Sequence, residues 1–214
     1  MTDIRSETVG PFQENCYLVV DPDARRAVLV DPGDEPERLL AMIARAGVPL
    51  DAIWLTHAHL DHVGAINAVR RVHPVPVWLH PADRPLYDRA AEVAAMYGLP
   101  FDQPEPPDRE LAEGDRLTVG GLRFDVLHTP GHAPGHVVFL GHGLMLGGDL
   151  LFRGSVGRTD LPFSSGADMD ASLARLGGLA PDTIVHPGHG PATTIGEELA
   201  ANPFLNGTAL PVRR

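Results

Sequence analysis

The chain has 214 residues and a formal net charge of −11, with 28 acidic and 17 basic side chains. Apolar residues make up 43% and charged residues 21%, as in globular domains, and no apolar run is long enough to cross a bilayer. The acidic balance disfavours a protein that binds a nucleic-acid backbone. The N-terminus lacks the basic and apolar segments of a secretory signal, so we expect a cytoplasmic protein that binds neither nucleic acid nor membrane.

The length suits one ordinary domain, and we predict a single domain over residues 1–214, without an interdomain linker or repeat. The single cysteine, Cys16, allows no internal disulfide. It lies in an apolar run, so we expect a small buried side chain in a strand and no nucleophile.

The N-terminal part alternates short apolar strands with a helix. Strands are predicted at residues 16–20, 27–31 and 52–56. Residues 36–46 have apolar positions at helical spacing, with Pro36 at the start and Gly47 after the end, which predicts an amphipathic helix.

The third of these strands leads into THAHLDH, which holds four possible metal ligands within six residues: His57, His59, Asp61 and His62. In an extended segment positions two apart point the same way, so His57 and His59 can face one ion. A turn just after them would bring Asp61 and His62 to a neighbouring ion. A site of histidine and aspartate without cysteine is typical of catalytic metal centres, and suits zinc, iron or manganese.

The rest of the chain mixes helices and hairpins, which predicts strands covered by helices. Helices are predicted at residues 65–72, 82–97 and 169–176, and a last helix from the capping pair of Thr194 and Glu197. Strands are predicted at residues 75–79 and 183–185, and hairpins pair residues 116–119 with 123–127 and 137–140 with 144–146. Residues 100–107 and 153–165 are predicted to be loops.

Three further ligand types follow predicted strands beside glycines: His132 in TPGH, Asp149 in GGD and His189 in HPGHG. Glycine lets the backbone approach a site closely, and loops at strand ends commonly carry function. These residues therefore fit the same centre as the first cluster.

The order HxHxDH, TPGH, GGD and PGHG resembles the metallo-β-lactamase superfamily, and residues 148–162 and 186–194 resemble its glyoxalase II group, the short bacterial hydroxyacylglutathione hydrolases. The resemblance spans nearly the whole chain. It implies an α/β protein with a four-layer α/β/β/α sandwich. It also implies that Asp149 bridges two metal ions, the first held by His57, His59 and His132 and the second by Asp61, His62 and His189.

The implied reaction is hydrolysis of a small-molecule thioester of the S-(2-hydroxyacyl)glutathione type by a metal-bridging hydroxide. The implied cofactors are two divalent ions, zinc first, with iron or manganese as alternatives. Asp61 and Asp149 would act as catalytic metal ligands, and a protonated Asp61 could assist the leaving group. Longer relatives carry a C-terminal helical domain that contacts glutathione; few residues follow His189, so the thiol half of the substrate is left open.

Other activities share this kind of site. A persulfide dioxygenase would use one iron on two histidines and an aspartate, and such relatives tend to lose the ligand that His189 supplies. A lactonase or β-lactamase would use the same two ions, but the absence of an export signal disfavours a β-lactamase. A nuclease is disfavoured by the acidic charge, and a flavodiiron protein by His59, where that group usually has glutamate. A metal-binding module without catalysis is the last alternative.

Substrate contacts are predicted less directly. Arg153 and Arg158 follow Asp149 and could bind a substrate carboxylate, although a surface role or an ion pair with Asp160 is the simpler interpretation. Phe152 and Phe163 could line a pocket or merely pack. His128, His136 and His186 are expected to be structural or to orient ligands, His80 could reach the edge of the site, and His73 and His142 are expected to be exposed.

Overall fold

The computed structural model describes residues 2–206. The strands form two six-stranded sheets and one small two-stranded sheet. The prediction of a single domain over residues 1–214 stays a prediction, and its residues 1 and 207–214 lie outside the described part. Within the described part, no helix is long and apolar enough to span a bilayer.

The first sheet contains six strands in chain order. They are β1 (Asp3–Val9), β2 (Glu14–Asp21), β3 (Arg26–Val30), β4 (Leu50–Trp54), β5 (Val77–Leu79) and β6 (Arg109–Glu110). β1, β2 and β3 pair antiparallel, and β3 to β6 pair parallel. The helices between them are α1 (Pro36–Ala46), α2 (Leu60–Val63), α3 (Ile66–Val72), α4 (Arg84–Tyr87) and α5 (Ala90–Met96), with a 3₁₀ turn at Pro81–Asp83.

The second sheet has the order β14-β13-β10-β9-β8-β7. Its first strands are β7 (Arg116–Val119), β8 (Leu122–His128), β9 (Val137–Gly141) and β10 (Leu144–Gly148). The small sheet follows as β11 (Leu151–Phe152) and β12 (Ser155–Val156). The remaining elements are α6 (Gly166–Leu176), β13 (Ile184–Pro187), β14 (Thr193–Thr194) and α7 (Ile195–Ala201). Only β10 and β13 pair parallel in this sheet.

Three apolar clusters bind four layers together, as the predicted α/β/β/α sandwich requires. Alternate residues of β2 face opposite sides: Leu18 packs with α1, whereas Val19 packs between the sheets. Trp54 and Phe139 meet in that central layer, with ring centroids 5.2 Å apart. On the far side Met169 and Leu173 of α6 pack on the second sheet. The fold class is therefore confirmed, and Cys16 is fully buried in β2, as expected.

Most elements lie where the sequence predicts them, including α1, both hairpins and the capped start of α7. The single helix predicted at residues 82–97 is wrong, because the chain breaks between α4 and α5. Gln103 causes the break: its side chain accepts from Ala91 N at 3.0 Å and donates to Tyr87 O at 2.8 Å. It therefore replaces the helical hydrogen bond between those two groups. The sequence does not predict the seven-residue strand β1, the helix α2 or the two-residue strands β6, β11, β12 and β14. The prediction of a loop at residues 153–165 is wrong at β12.

Candidate metal centre

The predicted ligands come together at one edge of the two sheets. β4 ends just before His57, β10 ends just before Asp149, and β13 ends two residues before His189. His132 lies in the loop between β8 and β9. The strands are therefore separated in sequence but deliver their last residues to a common point.

The first set consists of His57, His59 and His132, which offer ligand atoms within 4.8 Å of one another. Nδ1 of His59 lies 2.8 Å from Nε2 of His132. His57 is fully buried and His132 is 4% exposed, whereas His59 is half-buried. Three imidazoles in this arrangement suit a tetrahedral metal ion with one open position.

The second set consists of Asp61, His62 and His189, also within 4.8 Å of one another. Nε2 of His189 lies 3.4 Å from Oδ2 of Asp61, and Nε2 of His62 lies 3.9 Å from the same oxygen. The helix α2 begins directly after His59, so Asp61 and His62 lie in a helical turn and not in the extended segment that carries His57 and His59.

Asp149 lies between the two sets. Its Oδ2 is 3.3 Å from Nε2 of His132 in the first set and 3.5 Å from Nε2 of His189 in the second. Its Oδ1 is 3.6 Å from Nε2 of His62. A single carboxylate therefore faces both candidate ion positions, as a bridging ligand must.

Three atoms at this point are buried without hydrogen-bond partners: Nε2 of His57, Nε2 of His62 and Oδ1 of Asp149. Buried polar atoms are almost always hydrogen-bonded, so an unpartnered group of this kind indicates a missing ion or water. Gly188 keeps the space clear, because a Cβ there would collide with Oδ1 of Asp149. The donor set of imidazole and carboxylate fits two divalent ions.

Four of the five histidines are oriented through their other ring nitrogen. Nδ1 of His57 contacts Thr56 Oγ1 at 3.0 Å, and Nδ1 of His132 contacts the carbonyl oxygen of Arg158 at 2.8 Å. Nδ1 of His189 lies 3.1 Å from the carbonyl oxygen of Phe12, and Nδ1 of His62 lies 3.1 Å from Oδ2 of Asp31. Such contacts fix the tautomer and aim the opposite nitrogen at the centre.

Burial sets the charge state of the first set. It lowers the pKa values of His57, His59 and His132, and neighbouring histidines lower those of His57 and His59 further. These imidazoles are therefore neutral near pH 7, the form that binds a metal ion.

The second set has the opposite electrostatics. Burial lowers the pKa of His62, but Asp61, Asp149 and Asp31 outweigh it and hold that pKa well above its usual value. The pKa of His189 is also raised, because its hydrogen bond to Asp61 and the charge of Asp149 outweigh burial. Burial raises the pKa of Asp61, but His62 and His189 outweigh it and the net pKa is lowered. Without metal, this set is an ion-pair cluster.

Asp31 lies next to His57 and His62, and the sequence patterns do not predict it as a site residue. Its carboxylate accepts from the backbone N–H and hydroxyl of Thr56, at 2.8 and 2.6 Å, and contacts His62 Nδ1. It lies close enough to His57 and His62 to form a third possible ligand group. Because its oxygens are already engaged by Thr56 and His62, we interpret it as a residue that orients ligands.

Asp83 is a second residue near the centre that the sequence patterns do not predict. It is fully buried at the end of the 3₁₀ turn, and its Oδ2 accepts from Ala58 N at 2.9 Å while its Oδ1 accepts from Gly135 N. Ala58 lies between His57 and His59, and Gly135 follows His132, so one carboxylate joins both loops of the first set. Burial raises the pKa of Asp83 to about 6, although both hydrogen bonds oppose the shift.

Of the remaining histidines, His136 contacts the backbone of a predicted ligand, and the others make contacts elsewhere. His136 is buried, and its Nε2 accepts from Asp149 N at 2.9 Å, so it orients the bridging residue. His80 and His128 stack with ring centroids 4.1 Å apart, and His186 packs against Tyr17 at 5.4 Å. His142 is exposed, as expected. His73, which was also expected to be exposed, is half-buried.

The two arginines predicted to bind substrate lie in the exposed loops beside the centre. Arg158 forms a two-pronged ion pair with Asp160, at 2.6 and 2.9 Å, which is the simpler alternative. Arg153 donates to the carbonyl oxygen of Ala192 at 2.8 Å. Phe152 contacts the His189 ring edge-on at 5.9 Å, whereas Phe163 is 54% exposed. A substrate role for the arginines stays a prediction.

The chain is similar to known proteins over most of its length. The family model described as the metallo-beta-lactamase superfamily matches residues 9–189. Hydroxyacylglutathione hydrolase GloC of Haemophilus influenzae is 41% identical over 203 residues, which cover 92% of this chain and 95% of that protein.

Two crystal structures are similar over nearly their whole length. TTHA1623 in a di-iron-bound form is 52% identical, with a TM-score of 0.87 over 94% of this chain and 100% of that chain. BLEG-1 B3 metallo-beta-lactamase is 39% identical, with a TM-score of 0.89 over 96% of this chain and 100% of that chain. The chain therefore belongs to the metallo-β-lactamase superfamily.

Proposed function

We propose that this protein is a binuclear metal-dependent hydrolase that cleaves thioesters of the S-(2-hydroxyacyl)glutathione type. The observation that carries the proposal is the position of Asp149, whose Oδ2 lies 3.3 Å from His132 and 3.5 Å from His189, between two complete ligand sets. The similarity to a hydroxyacylglutathione hydrolase supports the choice of a thioester. The net reaction adds water across the C–S bond and gives a carboxylic acid and a thiol.

His57, His59 and His132 would hold the first ion, Asp61, His62 and His189 the second, and Asp149 both. When bound, two divalent ions supply a water of lowered pKa and a Lewis acid for the acyl oxygen. Zinc is the ion that we propose first. Iron and manganese suit the same nitrogen and oxygen donors, and a similar structure is a di-iron form.

The protein's own residues prepare this site. His57, His59 and His132 are kept neutral by burial, so they need not lose a proton to bind an ion. His136 holds the backbone of Asp149 through its N–H at 2.9 Å. Asp61 is kept ionised by His62 and His189, which favours ligation over proton donation to a leaving group.

The alternative of a mononuclear persulfide dioxygenase is disfavoured by the second set. His189 is present, and two backbone carbonyls of the β1–β2 hairpin hold its Nδ1 so that Nε2 faces Asp61. A protein that used one iron on two histidines and an aspartate would have no need of this oriented residue. The complete second set therefore favours hydrolysis.

The proposal is tested with purified protein loaded with zinc, iron or manganese and supplied with D-lactoylglutathione. We expect release of free thiol that depends on metal and is lost in the isosteric variant Asp149→Asn. Parallel assays use a chromogenic β-lactam and, for oxygen uptake, glutathione persulfide. Oxygen uptake without thioester hydrolysis would overturn the proposal in favour of the dioxygenase, and β-lactam turnover alone would overturn the choice of substrate.

A further inference from the structure

A partly open cavity of about 110 Å³ lies beside the second ligand set. Its walls come from the tip of the β1–β2 hairpin, from residues 33–34 after β3, from α2 and Gly64, and from residues 99–102 after α5. Above it Phe12 of the hairpin meets Tyr97 edge-on, with ring centroids 5.4 Å apart. The hairpin and the segment after α5 therefore form a roof that is held by an aromatic contact.

The cavity shares a wall with the candidate metal centre. Asp61, itself a predicted ligand of the second set, lines it, as does Leu60, which follows the predicted ligand His59. Phe12 also lines it, and its carbonyl oxygen is 3.1 Å from Nδ1 of His189. The cavity is therefore adjacent to the second set, close enough for one substrate to contact both.

The lining is apolar and acidic. Val9, Leu60, Leu99 and Phe101 supply apolar surface, and carboxylates come from Asp34, Asp61 and Asp102. No arginine, lysine or histidine is among the described residues that line it. Arg71 lies 3.1 Å from Asp102 but is not among the lining residues, so an anionic group in the cavity would face carboxylates and no basic side chain of the lining. An uncharged group is therefore favoured.

The cavity is small. Its volume exceeds the roughly 30 Å³ that one water occupies in the liquid by only a few times, so it suits a group of several non-hydrogen atoms. Arg153 and Arg158 lie in other loops, outside the cavity lining. The carboxylates of the lining therefore disfavour an anionic thiol carrier such as glutathione in the cavity.

From these observations we propose that the cavity binds a short, uncharged acyl group of the thioester and so selects the acyl half of the substrate. This inference rests on the proposed thioesterase function. It assigns Leu99 and Phe101, which line the cavity and are not metal ligands, to the selection of the acyl group.

The test measures kcat/KM for glutathione thioesters that share the thiol and differ in the acyl group: acetyl, lactoyl, butyryl, succinyl and phenylacetyl. We expect lactoyl and butyryl to exceed succinyl and phenylacetyl by at least about tenfold. Leu99→Trp should reduce lactoyl and butyryl turnover about tenfold and leave acetyl turnover little changed. Leu99→Ala should instead raise phenylacetyl turnover relative to lactoyl.

The matched control is Val72→Trp, which adds the same side chain at the exposed end of α3, where the residue is 57% exposed and away from the cavity. Metal content and thermal unfolding of each variant identify a folding defect. Binding of non-hydrolysable thioether analogues, measured by calorimetry, supplies a readout other than turnover and should follow the same order.

Each outcome bears on one of the two proposals. Equal turnover of succinyl and butyryl thioesters, with Leu99→Trp without effect, would overturn the cavity assignment and leave the hydrolase intact. A Leu99→Trp effect that depends on the thiol rather than the acyl group would also overturn it, by placing the carrier in the cavity. Absence of thioester hydrolysis in metal-loaded wild-type protein would overturn the proposed function itself and, with it, this inference.

Discussion

The two ligand sets lie side by side but have different surroundings. The first is surrounded by other histidines and by neutral contacts, namely the Thr56 hydroxyl and the Arg158 carbonyl oxygen. The second contains Asp61 and lies against Asp31, with His62 completely buried. Burial therefore decides the protonation of the first set, and carboxylates decide that of the second.

From this difference we expect the proposed centre to bind its two ions unequally. The imidazoles of the first set are already neutral, so an ion displaces no proton there. The raised pKa values of His62 and His189 mean that an ion must displace protons from the second set. We therefore expect the first position to fill more readily at slightly acidic pH.

The largest effect is expected where both sets depend on one residue. Asp149→Ala should lower thioester hydrolysis by more than about 100-fold, beyond the range usual for residues that only orient ligands. The reason is that both positions lose a ligand at once. The measurement is kcat/KM together with elemental analysis. Asp125→Ala, which removes an exposed carboxylate paired with Arg116, is the control and should behave as wild type. Full activity of Asp149→Ala would contradict the bridging role.

The variant His189→Ala should impair metal binding at the second set and leave the first set intact. It removes one ligand of the second position and none of the first, so metal content should fall from two ions to one per chain. Turnover should fall by at least about 10- to 100-fold, the range seen when a residue that merely orients a ligand is lost. His73→Ala, at the end of α3, controls for loss of a histidine. Loss of both ions in His189→Ala would show that the sets do not bind independently.

Acidification should also distinguish the sets. The pKa values of His62 and His189 are raised, so protons compete with metal there at a higher pH than at His57, His59 and His132, whose pKa values are lowered. On dialysis from pH 8 toward pH 5, the ion of the second set should leave before the ion of the first set. Metal content against pH should therefore show two steps, and hydrolysis should follow the step at higher pH. Simultaneous loss of both ions would contradict this order.

The smallest effect is expected at Asp83, which supports the first set only through the backbone. Asp83→Asn keeps the shape but places an amide N–H₂ against one of two backbone N–H donors. We expect loss of about 1–3 kcal/mol in the free energy of unfolding, the usual cost of an unsatisfied buried group. Affinity for the first ion should fall about tenfold. Chemical denaturation and metal titration measure both, and an unchanged first position would exclude the positioning role.

The sequence predicts the seven ligands because their signals are local. Four lie within THAHLDH, and His132, Asp149 and His189 each follow a strand beside a glycine. The apolar periodicity of α1 and the glycines between the hairpin strands are equally local, so those elements are confirmed.

What the sequence does not reveal depends on contacts between distant residues. Asp31 accepts a hydrogen bond from Thr56, which lies 25 positions later in the chain, and Asp83 accepts one from Gly135, which lies 52 positions later. No local sequence pattern around either aspartate predicts its partner. The break between α4 and α5 depends on Gln103, which lies outside both helices. The cavity beside Asp61 likewise combines four separate segments of chain.

The most direct test of the binuclear account is a titration of metal-free protein with zinc, in which bound metal and D-lactoylglutathione hydrolysis are measured at each step near pH 7.5. We expect two ions to bind per chain, and turnover to rise mainly as the second ion binds. Saturation at one ion with full turnover, or two bound ions with no thioester hydrolysis, would contradict it.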